Sequence, residues 1–458
     1  MLLPLVRGVR EVRDAQDREL PLLRGEIPSA EQRSAELEEG TQGRGQRRHG
    51  AEDVERRERG EDLARLGGEI GVGRERKCVG GHASQSPRSS RRHASPGART
   101  LGAVLKYLGS KRELVPLIGE LVRRTPARTA CDLFAGTTRV GQELRRSGLV
   151  VHSNDTATYS EALGQAYIAA DDRTLDRVRL RRLLAELSAL PGRDGYVTRT
   201  FCEEARFFQP QNGRRIDAIR DAIDELELTP VERGTLLTSL LEAADRVDST
   251  CGVQMAYVKQ WAARSHRDLE LREPVAVPGP AGTVTRLDAQ DLAPQLDGTD
   301  LVYLDPPYNQ HSYYSNYHVW ETLVRWDAPE TYGIARKRLD CRTTKSPFNR
   351  KREAWGALER LIASLRSPWI VLSFSDEGFH AAGDLAALLG DRGHVRPVTV
   401  GHPRYVGARI GIHDPAGNRV GTVSHVRNSE TLWVVGPSAA AVERVTDGLV
   451  PATSRAAA

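Results

Sequence analysis

The chain has 458 residues and a formal net charge of +5, which comes from 66 Lys and Arg against 61 Asp and Glu. At about 150 residues per domain it is long enough for two to four domains, and its mild charge permits a polyanionic partner without requiring one. The five cysteines are scattered without paired metal-ligand spacing, which disfavours a structural zinc site and indicates a reducing compartment. No apolar run approaches the roughly 18 residues of a membrane span, so a soluble cytoplasmic protein is predicted.

Residues 1–103 differ in composition from the rest of the chain. No Phe, Trp or Tyr precedes Tyr107, and Arg, Glu, Gly and Ser dominate this stretch. Such a composition cannot build a normal core and predicts a disordered segment. Two further interpretations are a basic arm that grips DNA and upstream sequence attached by a wrong start codon. The abrupt change of pattern near residue 104 favours the wrong start codon.

From residue 104 onward, helical and strand-like patterns alternate. Apolar spacing predicts helices over 113–124 and 142–146, and strands over 129–134 and 149–153. A glycine turn follows the first strand, and an acid follows the second. This order of strand, glycine turn, helix, strand and acid is typical of a Rossmann-like half.

The middle of the chain is mostly helical in pattern, and strands then resume. Helices are predicted over 175–190, 213–226 and 230–247. Later strands are predicted over 283–287, 301–304 and 369–374. Alternating apolar and polar residues over 398–435 predict a β-hairpin around Asp414-Pro415-Ala416-Gly417. The small-residue stretch 437–458 is expected to be frayed. The fold class predicted is therefore α/β, with a sheet interrupted by a helical insertion.

One predicted strand ends in the sequence Asp305-Pro306-Pro307-Tyr308. Proline lacks an N–H donor and fixes φ, so the chain must leave the sheet there, with the acid and the aromatic ring at its carboxyl edge. Open α/β sheets bind ligands at that edge. A carboxylate, a rigid carbonyl and an aromatic ring could together hold a flat amine. A proline-rich strand exit without a functional role fits this short stretch equally well.

The turn after the first strand is a second candidate site. Gly136 lets the backbone pass close to a ligand, and Asp155, about 20 residues on, could accept both hydroxyls of a ribose. Ala135 and Thr137 break the fuller Gly-x-Gly-x-x-Gly fingerprint, so a nicotinamide cofactor is disfavoured. A merely structural turn is the alternative.

Two further stretches have both a functional and a structural interpretation. In Lys106-Tyr107-Leu108-Gly109-Ser110-Lys111, Lys111 could pair with a ligand carboxylate and Tyr107 could lie against a cationic centre. The same residues would serve as a surface turn. Asp288 could accept a hydrogen bond from the amino group of a nucleoside, or could cap the short helix that follows it.

Taken in chain order, these motifs resemble those of the Dam-type, or alpha group, N6-adenine DNA methyltransferases. The residues that carry the resemblance are Lys106 to Lys111, Asp132 to Thr137 and Asp305 to Tyr308. Three further stretches look like signatures of the Type II restriction-modification branch: Phe207 to Asp217, Arg404 to Gly407 and Ser424 to Asn428. The resemblance covers nearly all of residues 104–435. The family often has a second glycine where Thr137 stands, and Asn or Gly where Ser110 stands.

The resemblance implies a Rossmann-like S-adenosylmethionine-dependent methyltransferase sheet. It implies a cofactor-binding half over 104–160, a helical target-recognition insertion over 161–275 and a catalytic half over 276–436. The residues it implies for contact with S-adenosyl-L-methionine are Tyr107, Lys111, Asp132, Phe134, Gly136, Asp155, Asp288 and Asp305. Those it implies for holding an adenine flipped out of double-stranded DNA are Asp305, Pro306, Pro307 and Tyr308.

Basic residues after the catalytic motif suggest how DNA could be gripped. Candidate phosphate contacts are Lys337, Arg338, Lys345, Arg350 and Lys351, beside Arg336, Arg342 and Arg352. A solvated loop is the alternative. In the helical region the candidates are Arg214, Arg215, Lys259 and Arg264. The tyrosine-rich stretch 310–317 is expected to close on the base.

Several related functions remain as alternatives to the adenine methyltransferase. Protein-glutamine methyltransferases resemble Asn-Pro-Pro-Tyr and N4-cytosine enzymes resemble Ser-Pro-Pro-Tyr, so the acid at position 305 disfavours both. An RNA methyltransferase would share the cofactor half. A non-catalytic DNA-binding relative would have an eroded site, whereas Lys111, Asp155, Asp305 and Tyr308 are all present. The prediction is a monomeric enzyme that acts on double-stranded DNA, with a cognate restriction endonuclease as a possible partner.

Overall fold

The computed structural model describes residues 105–107, 111, 114–258, 260–403 and 427–449. The predictions for residues 1–103, for the hairpin turn at 414–417 and for the stretch 404–407 lie outside these ranges. Among the helices inside them, none combines the length and the apolar character needed to cross a membrane.

Nine strands are found in the described ranges. They are β1 (Thr129–Asp132), β2 (Val150–Asn154), β3 (Thr283–Thr285), β4 (Leu301–Leu304), β5 (Thr331–Tyr332), β6 (Lys337–Arg338), β7 (Trp369–Ser375), β8 (His394–Pro403) and β9 (Arg427–Gly436). Seven of them form one sheet in the order β3-β2-β1-β4-β7-β9-β8, and β5 and β6 form a separate hairpin. The first five strands of the large sheet are parallel, whereas β9 is antiparallel to both β7 and β8.

The strand order reverses between β1 and β4. The chain runs outward from β1 to β2 and β3, then returns to pair β4 with the other side of β1. Cys131 lies opposite Val302, and Asp132 lies opposite Tyr303. In open α/β sheets such a reversal opens a crevice at the carboxyl ends of the two strands. The residues that follow Asp132 and Leu304 must therefore meet at this crevice.

Twelve α-helices surround the strands in the described ranges. They are α1 (Val115–Arg123), α2 (Arg139–Arg146), α3 (Thr158–Gly164), α4 (Arg177–Ala189), α5 (Pro210–Glu225), α6 (Pro230–Val247), α7 (Ala289–Leu292), α8 (Tyr313–Asn316), α9 (His318–Arg325), α10 (Lys351–Ser364), α11 (Ala382–Gly390) and α12 (Ala439–Thr446). Short π-helices span Gln165–Ala169 and Thr198–Glu203, and 3₁₀-helices span Ala263–His266, Ala293–Gln295, Leu339–Arg342 and Pro347–Asn349.

Local sequence explains where the longest helix begins. Pro230 occupies the first turn of α6, where its missing N–H costs no hydrogen bond. Thr229 and Glu232 form a reciprocal capping box around it. These interactions satisfy backbone donors that the first turn would leave unpaired.

Alternate residues of the central strands pack into separate cores on the two faces of the sheet. Leu301 and Tyr303 contact the cluster that includes α1, α2 and α12. Val302 and Leu304 contact the cluster that includes α7, α10 and α11. A third cluster, among α3 to α6 and α9, lies beside the cofactor-binding half that the sequence predicts. Because both faces are covered, β4 is an uninterrupted buried apolar run.

The predicted α/β class is confirmed, and the large sheet is mainly parallel. The strand predicted at 301–304 has the observed bounds, and β8 and β9 pair antiparallel in the region where the hairpin is predicted. The expectation of a fraying tail is wrong for α12. Its N-cap Ser438 accepts a hydrogen bond from Ala441 N–H, and its buried Val442 and Val445 pack on the sheet.

Candidate active site

The turn after β1 brings the backbone close to an aromatic ring. Gly136 has φ +51°, and a Cβ at this position would lie 3.2 Å from the hydroxyl of Tyr107. A larger residue would be strained there and crowded. The Gly136 N–H donates to Asp155 Oδ2 at 2.8 Å. The turn is thus fixed to the end of β2.

Asp155 joins the ends of the first two strands. Its second oxygen, Oδ1, accepts a hydrogen bond from Ala157 N–H at 2.9 Å. Burial raises the pKa of Asp155, while hydrogen bonds from Ala157 and Gly136 act in the opposite direction. This carboxylate therefore orders the turn around it, and it also lines the cavity described below.

Asp132 is a buried carboxylate at the end of β1. It is 1% exposed, and its Oδ2 accepts a hydrogen bond from Gly141 N–H at 2.8 Å. Its Oδ1 has no hydrogen-bond partner among the described residues. Burial raises the pKa of Asp132 to about 7. A proton or a polar ligand atom would satisfy the remaining oxygen.

Asp305 lies at the crevice directly after β4 and pairs with a buried lysine. Its Oδ1 is 3.0 Å from Lys111 Nζ, which also donates to Glu430 Oε1 on β9 at 2.6 Å. Burial raises the pKa of Asp305 to about 6, although Lys111 acts to lower it. Burial would lower the pKa of Lys111, but Asp305 and Glu430 offset this and raise it well above its usual value.

The other three residues of the Asp-Pro-Pro-Tyr motif differ in their surroundings. Pro307 lines the cavity, and Pro306 is buried. The Tyr308 ring packs against Phe374 at 5.5 Å between centroids, and Lys111 Nζ lies 5.6 Å from its centre. The Tyr308 carbonyl accepts a hydrogen bond from Phe379 N–H. Burial raises the pKa of its hydroxyl, so the ring is neutral at ordinary pH.

These residues surround a cavity of about 390 Å³ at the strand reversal. Typical small-molecule sites occupy about 300–1,000 Å³. Predicted site residues that line it are Tyr107, Lys111, Asp132, Phe134, Gly136, Asp155, Asp288, Asp305 and Pro307. Its remaining wall includes residues 312–314 and 343–349. The structure thus brings together both halves of the candidate site.

Tyr107 is part of an aromatic stack beside the cavity. Its ring lies 5.3 Å from Tyr313 and 4.4 Å from Tyr317, and Tyr317 stacks on Trp320 at 4.6 Å. The Tyr107 hydroxyl is 3.2 Å from that of Tyr159. The sequence motif identifies Tyr107, but it does not identify this stack, which places two neutral rings in the cavity wall.

The wall at 343–349 is tied to the stretch that follows Tyr308. Asn349 Nδ2 donates to the carbonyls of Asn309 at 2.8 Å and His311 at 3.0 Å. Buried Phe348 meets Phe134 edge to face at 5.5 Å. These residues were missed by the sequence analysis, because a pattern of basic residues gives no indication of a cavity wall.

Asp288 caps a helix and also lies at the cavity. Its Oδ1 accepts a hydrogen bond from Gln290 N–H at 2.8 Å, so it caps α7. It also lines the cavity. The capping role is confirmed, and the contact with a nucleoside stays a prediction.

One predicted DNA contact is wrong. Arg338 is 1% exposed, and its guanidinium pairs with Asp327 at 2.7 Å and Asp340 at 2.9 Å. It cannot reach a phosphate, since its donors face these two carboxylates. Successive residues of β6 point to opposite sides, so Arg338 is buried although its neighbour Lys337 is only partly buried.

The other predicted contacts differ in their surroundings. Lys345 is exposed and lines the cavity, and Lys351 is exposed nearby. Arg350 forms a surface pair with Glu353. Lys337 is partly buried. Three residues of the helical region already have protein partners: Arg214 pairs with Asp194, Arg215 donates to the Ser188 carbonyl, and Arg264 pairs with Asp248. Lys259 lies outside the described residues.

Comparison with known proteins identifies the family. Residues 107–351, more than half of the chain, match the model of the D12 class N6 adenine-specific DNA methyltransferases. The chain belongs to this family. It is therefore a transferase specific for the N6 position of adenine in DNA. The matched range includes the Gly136 turn and Asp305, but it ends before Glu430.

Relatives of this methyltransferase include modification enzymes. The chain is 30% identical to the Type II methyltransferase M.NlaIII of Neisseria lactamica over 295 residues, which are 61% of this chain and 86% of that protein. It is 31% identical over 302 residues to the modification methylase StsI of Streptococcus sanguinis, covering 62% of this chain and 46% of that protein. It is 29% identical over 308 residues to the Type II methyltransferase M.FokI of Planomicrobium okeanokoites, with coverages of 63% and 47%. The chain thus spans about half the length of StsI and M.FokI.

Proposed function

We propose that this methyltransferase moves a methyl group from S-adenosylmethionine to the N6 amino group of an adenine flipped out of double-stranded DNA. The observation that carries the proposal is the shared cavity at the strand reversal. There the Gly136 turn of β1 and the Asp305 carboxylate of β4 line one space of about 390 Å³. One wall suits a nucleoside cofactor, and the adjacent wall suits an amine.

The residues in the cavity fit S-adenosylmethionine, which supplies a methyl group on a sulfonium centre. Gly136 leaves space next to Tyr107 that a Cβ would fill. Asp155 holds the turn and offers a carboxylate for the ribose hydroxyls, and Asp288 offers one for the adenine amine. Phe134 and Asp132 complete this wall. Lys111 is paired with Asp305 and Glu430. These pairs favour a role for Lys111 beside the target base over a contact with the carboxylate of S-adenosylmethionine.

Asp305 and Pro306 would hold the target amine. The adenine nitrogen is a weak nucleophile because its lone pair is delocalised into the ring. Hydrogen bonds from its two N–H groups to the Asp305 carboxylate and the Pro306 carbonyl would favour a pyramidal nitrogen with a localised lone pair. Positioning and electrostatics then supply the rate enhancement, and no covalent enzyme intermediate is needed.

Base flipping follows from where the reacting atom lies. The adenine amine takes part in base pairing within a duplex, so the enzyme must extrude the base at a cost of a few kcal/mol. The Tyr308 ring, held against Phe374, would provide a face on which the base stacks. Exposed Lys345, which lines the cavity, and exposed Lys351, which follows that wall in the sequence, would contact flanking phosphates.

We further infer that the enzyme is the modification arm of a restriction-modification system. The support is its similarity to M.NlaIII and M.FokI, which are named as Type II methyltransferases. A cognate endonuclease would then act on the same DNA site. Residues 161–275 would read that site, since they supply the helices α4 to α6 beside the cofactor half.

The test uses the full chain with labelled S-adenosylmethionine and duplex DNA. We expect label in N6-methyladenine, and a loss of about 100-fold or more in rate for Asp305→Ala, because alanine removes the oxygens that would accept from the adenine amine. Exposed Asp297 before β4 provides the matched control, Asp297→Ala, which should retain wild-type activity. Label in another base, or equal rates for the two variants, would refute the assignment. Mapping the modified adenines in host DNA would give the target sequence.

A further inference from the structure

Glu430 reaches the candidate catalytic motif through a single lysine. It is 3% exposed on β9, and its Oε1 lies 2.6 Å from Lys111 Nζ, which is 3.0 Å from Asp305 Oδ1. Ser373 Oγ on β7 also donates to Glu430 Oε1, at 2.6 Å. The three charged side chains therefore form a continuous row from the C-terminal hairpin to the cavity.

Strand pairing fixes the geometry of this row. Strand β7 lies between β4 and β9, with Leu304 opposite Leu372 and Ser375 opposite Glu430. Asp305 and Glu430 thus come from strands on either side of β7. The lysine arrives from the segment before α1 and spans the gap. Glu430 has a fixed register position on β9, and the buried Lys111 ammonium is paired with both carboxylates.

The row is more elaborate than a buried ion pair requires. One carboxylate would neutralise Lys111, and a second buried carboxylate carries a desolvation cost of its own. Asp305 lines the cavity, whereas Glu430 is not among the residues that line it. The second carboxylate therefore pairs with the lysine without itself lining the cavity.

We propose that Glu430 is a positioning residue for methyl transfer. It holds the Lys111 ammonium so that the lysine bonds Oδ1 of Asp305 and leaves Oδ2 to accept from the adenine amine. Without Glu430, the ammonium would turn fully towards Asp305 and compete with the substrate for both oxygens. This inference rests on the proposed role of Asp305 and extends the site to a strand outside the range that matches the family.

The main test is Glu430→Gln, which keeps the shape of the side chain and removes its charge. We expect kcat to fall by about 10- to 100-fold, while KM for S-adenosylmethionine and for DNA stays within about threefold. The same substitution at exposed Glu359, Glu359→Gln, should change none of these values. An unchanged kcat for Glu430→Gln would overturn the proposal.

The pH profile separates positioning from a purely structural role. The Glu430 charge raises the pKa of Asp305, so its removal should move the acidic limb of the kcat profile to lower pH. The other titratable groups around Lys111 and Asp305 are Tyr303, Tyr308, Tyr313 and Asp132, and all are unchanged in the variant. A purely structural role would lower thermal stability and leave the limb in place, which would contradict positioning.

A double-mutant cycle tests whether Glu430 acts through Lys111. In a Lys111→Met background, Glu430→Gln should cause no further loss of kcat, whereas independent effects would multiply and refute the proposal. If Glu430→Gln does not fold, Ser373→Ala replaces it in the cycle. Removing one hydrogen bond to Glu430 should lower kcat about threefold to tenfold, and an unchanged kcat would count against the proposal.

Asp305→Ala distinguishes failure of this inference from failure of the proposed function. An active Asp305→Ala variant would show that the function assigned to the motif is wrong. An inactive Asp305→Ala variant beside a fully active Glu430→Gln variant would leave that function intact and remove only the role of Glu430. Calorimetric binding of S-adenosylmethionine, expected to be equal in wild type and Glu430→Gln, supplies a readout that does not depend on turnover.

Discussion

Asp132 shows how a single buried carboxylate couples the cavity to stability. Its pKa is raised by burial to about 7, against about 3.9 in an unfolded chain. The folded protein therefore binds a proton here between about pH 4 and pH 7 that the unfolded chain has released. The stabilisation from this group is complete below pH 4 and is lost as the pH rises through 7.

We predict that Asp132→Asn makes unfolding less dependent on pH. In the wild type, the Asp132 carboxyl lowers the free energy of unfolding by up to about 1.4 kcal/mol for each unit by which the pH rises between the two pKa values. The slope should decrease by up to that amount in Asp132→Asn, measured by urea denaturation without ligands at pH 5 to 8. Asp297→Asn, at an exposed site, should keep the wild-type slope. Parallel curves for wild type and Asp132→Asn would contradict the predicted proton uptake.

The motif residues could be predicted because their positions depend on local rules. Asp305 follows a buried strand that prolines end, and Gly136 follows a strand that ends in an acid. Both therefore lie at the carboxyl edge of a parallel sheet. The pairing of β1 with β4 makes these two strands neighbours and brings the two motifs together.

Glu430 could not be predicted in the same way. Its place in the row depends on the pairing of Ser375 with Glu430 across β7 and β9. A shift of one residue in that register would point Glu430 to the other face of the sheet. No alternation pattern in one sequence fixes such a register, so a buried acid in a distant hairpin looks like any other strand residue.

At the scale of elements, the β5–β6 hairpin is held by the residue that sequence analysis misassigned to DNA. Arg338 lies at its base and pairs with Asp327 and Asp340, while Tyr314 donates to Asp340 from the cavity wall. The hairpin is thereby joined to residues that line the site. Its four-residue loop contains Gly333 and Arg336, both with positive φ.

We predict that Arg338→Met destabilises the protein by about 1–3 kcal/mol, because Asp327 and Asp340 lose their buried partner and keep only their pairs with Arg325. Arg336→Met is the matched control: its pair with Glu204 is partly exposed, so it should cost less than about 1 kcal/mol. Denaturant titration measures both. A stable Arg338→Met protein with weakened DNA binding would contradict the structural role of Arg338.

The tail shows where composition misleads at the same scale. Residues 437–458 are rich in small residues, which favoured a frayed end. In the structure, α12 has a serine cap and presents Val442 and Val445 to the core. Two well-spaced valines and a cap suffice for a short helix when a sheet is available to bury them.

At the scale of the whole molecule, the charge distribution matters more than its sum. A net charge of +5 on 458 residues is too small to hold DNA by itself. Lys345 and Lys351 are exposed on the segment that lines or follows the cavity wall, at the carboxyl edge of the sheet. Arg128 and Arg366 are also exposed, but they precede β1 and β7 and so lie at the opposite edge.

We predict that Lys345→Gln combined with Lys351→Gln reduces the salt dependence of DNA binding. Each phosphate contact contributes about 0.9 to the slope of log K against log salt concentration, so the slope should decrease by up to about 2. Arg128→Gln with Arg366→Gln changes the net charge by the same amount and should leave the slope unaltered. Fluorescence anisotropy with a labelled duplex, from low to physiological salt, gives both slopes. If the two pairs lower the slope equally, net charge accounts for the binding, and if neither does, DNA is gripped elsewhere.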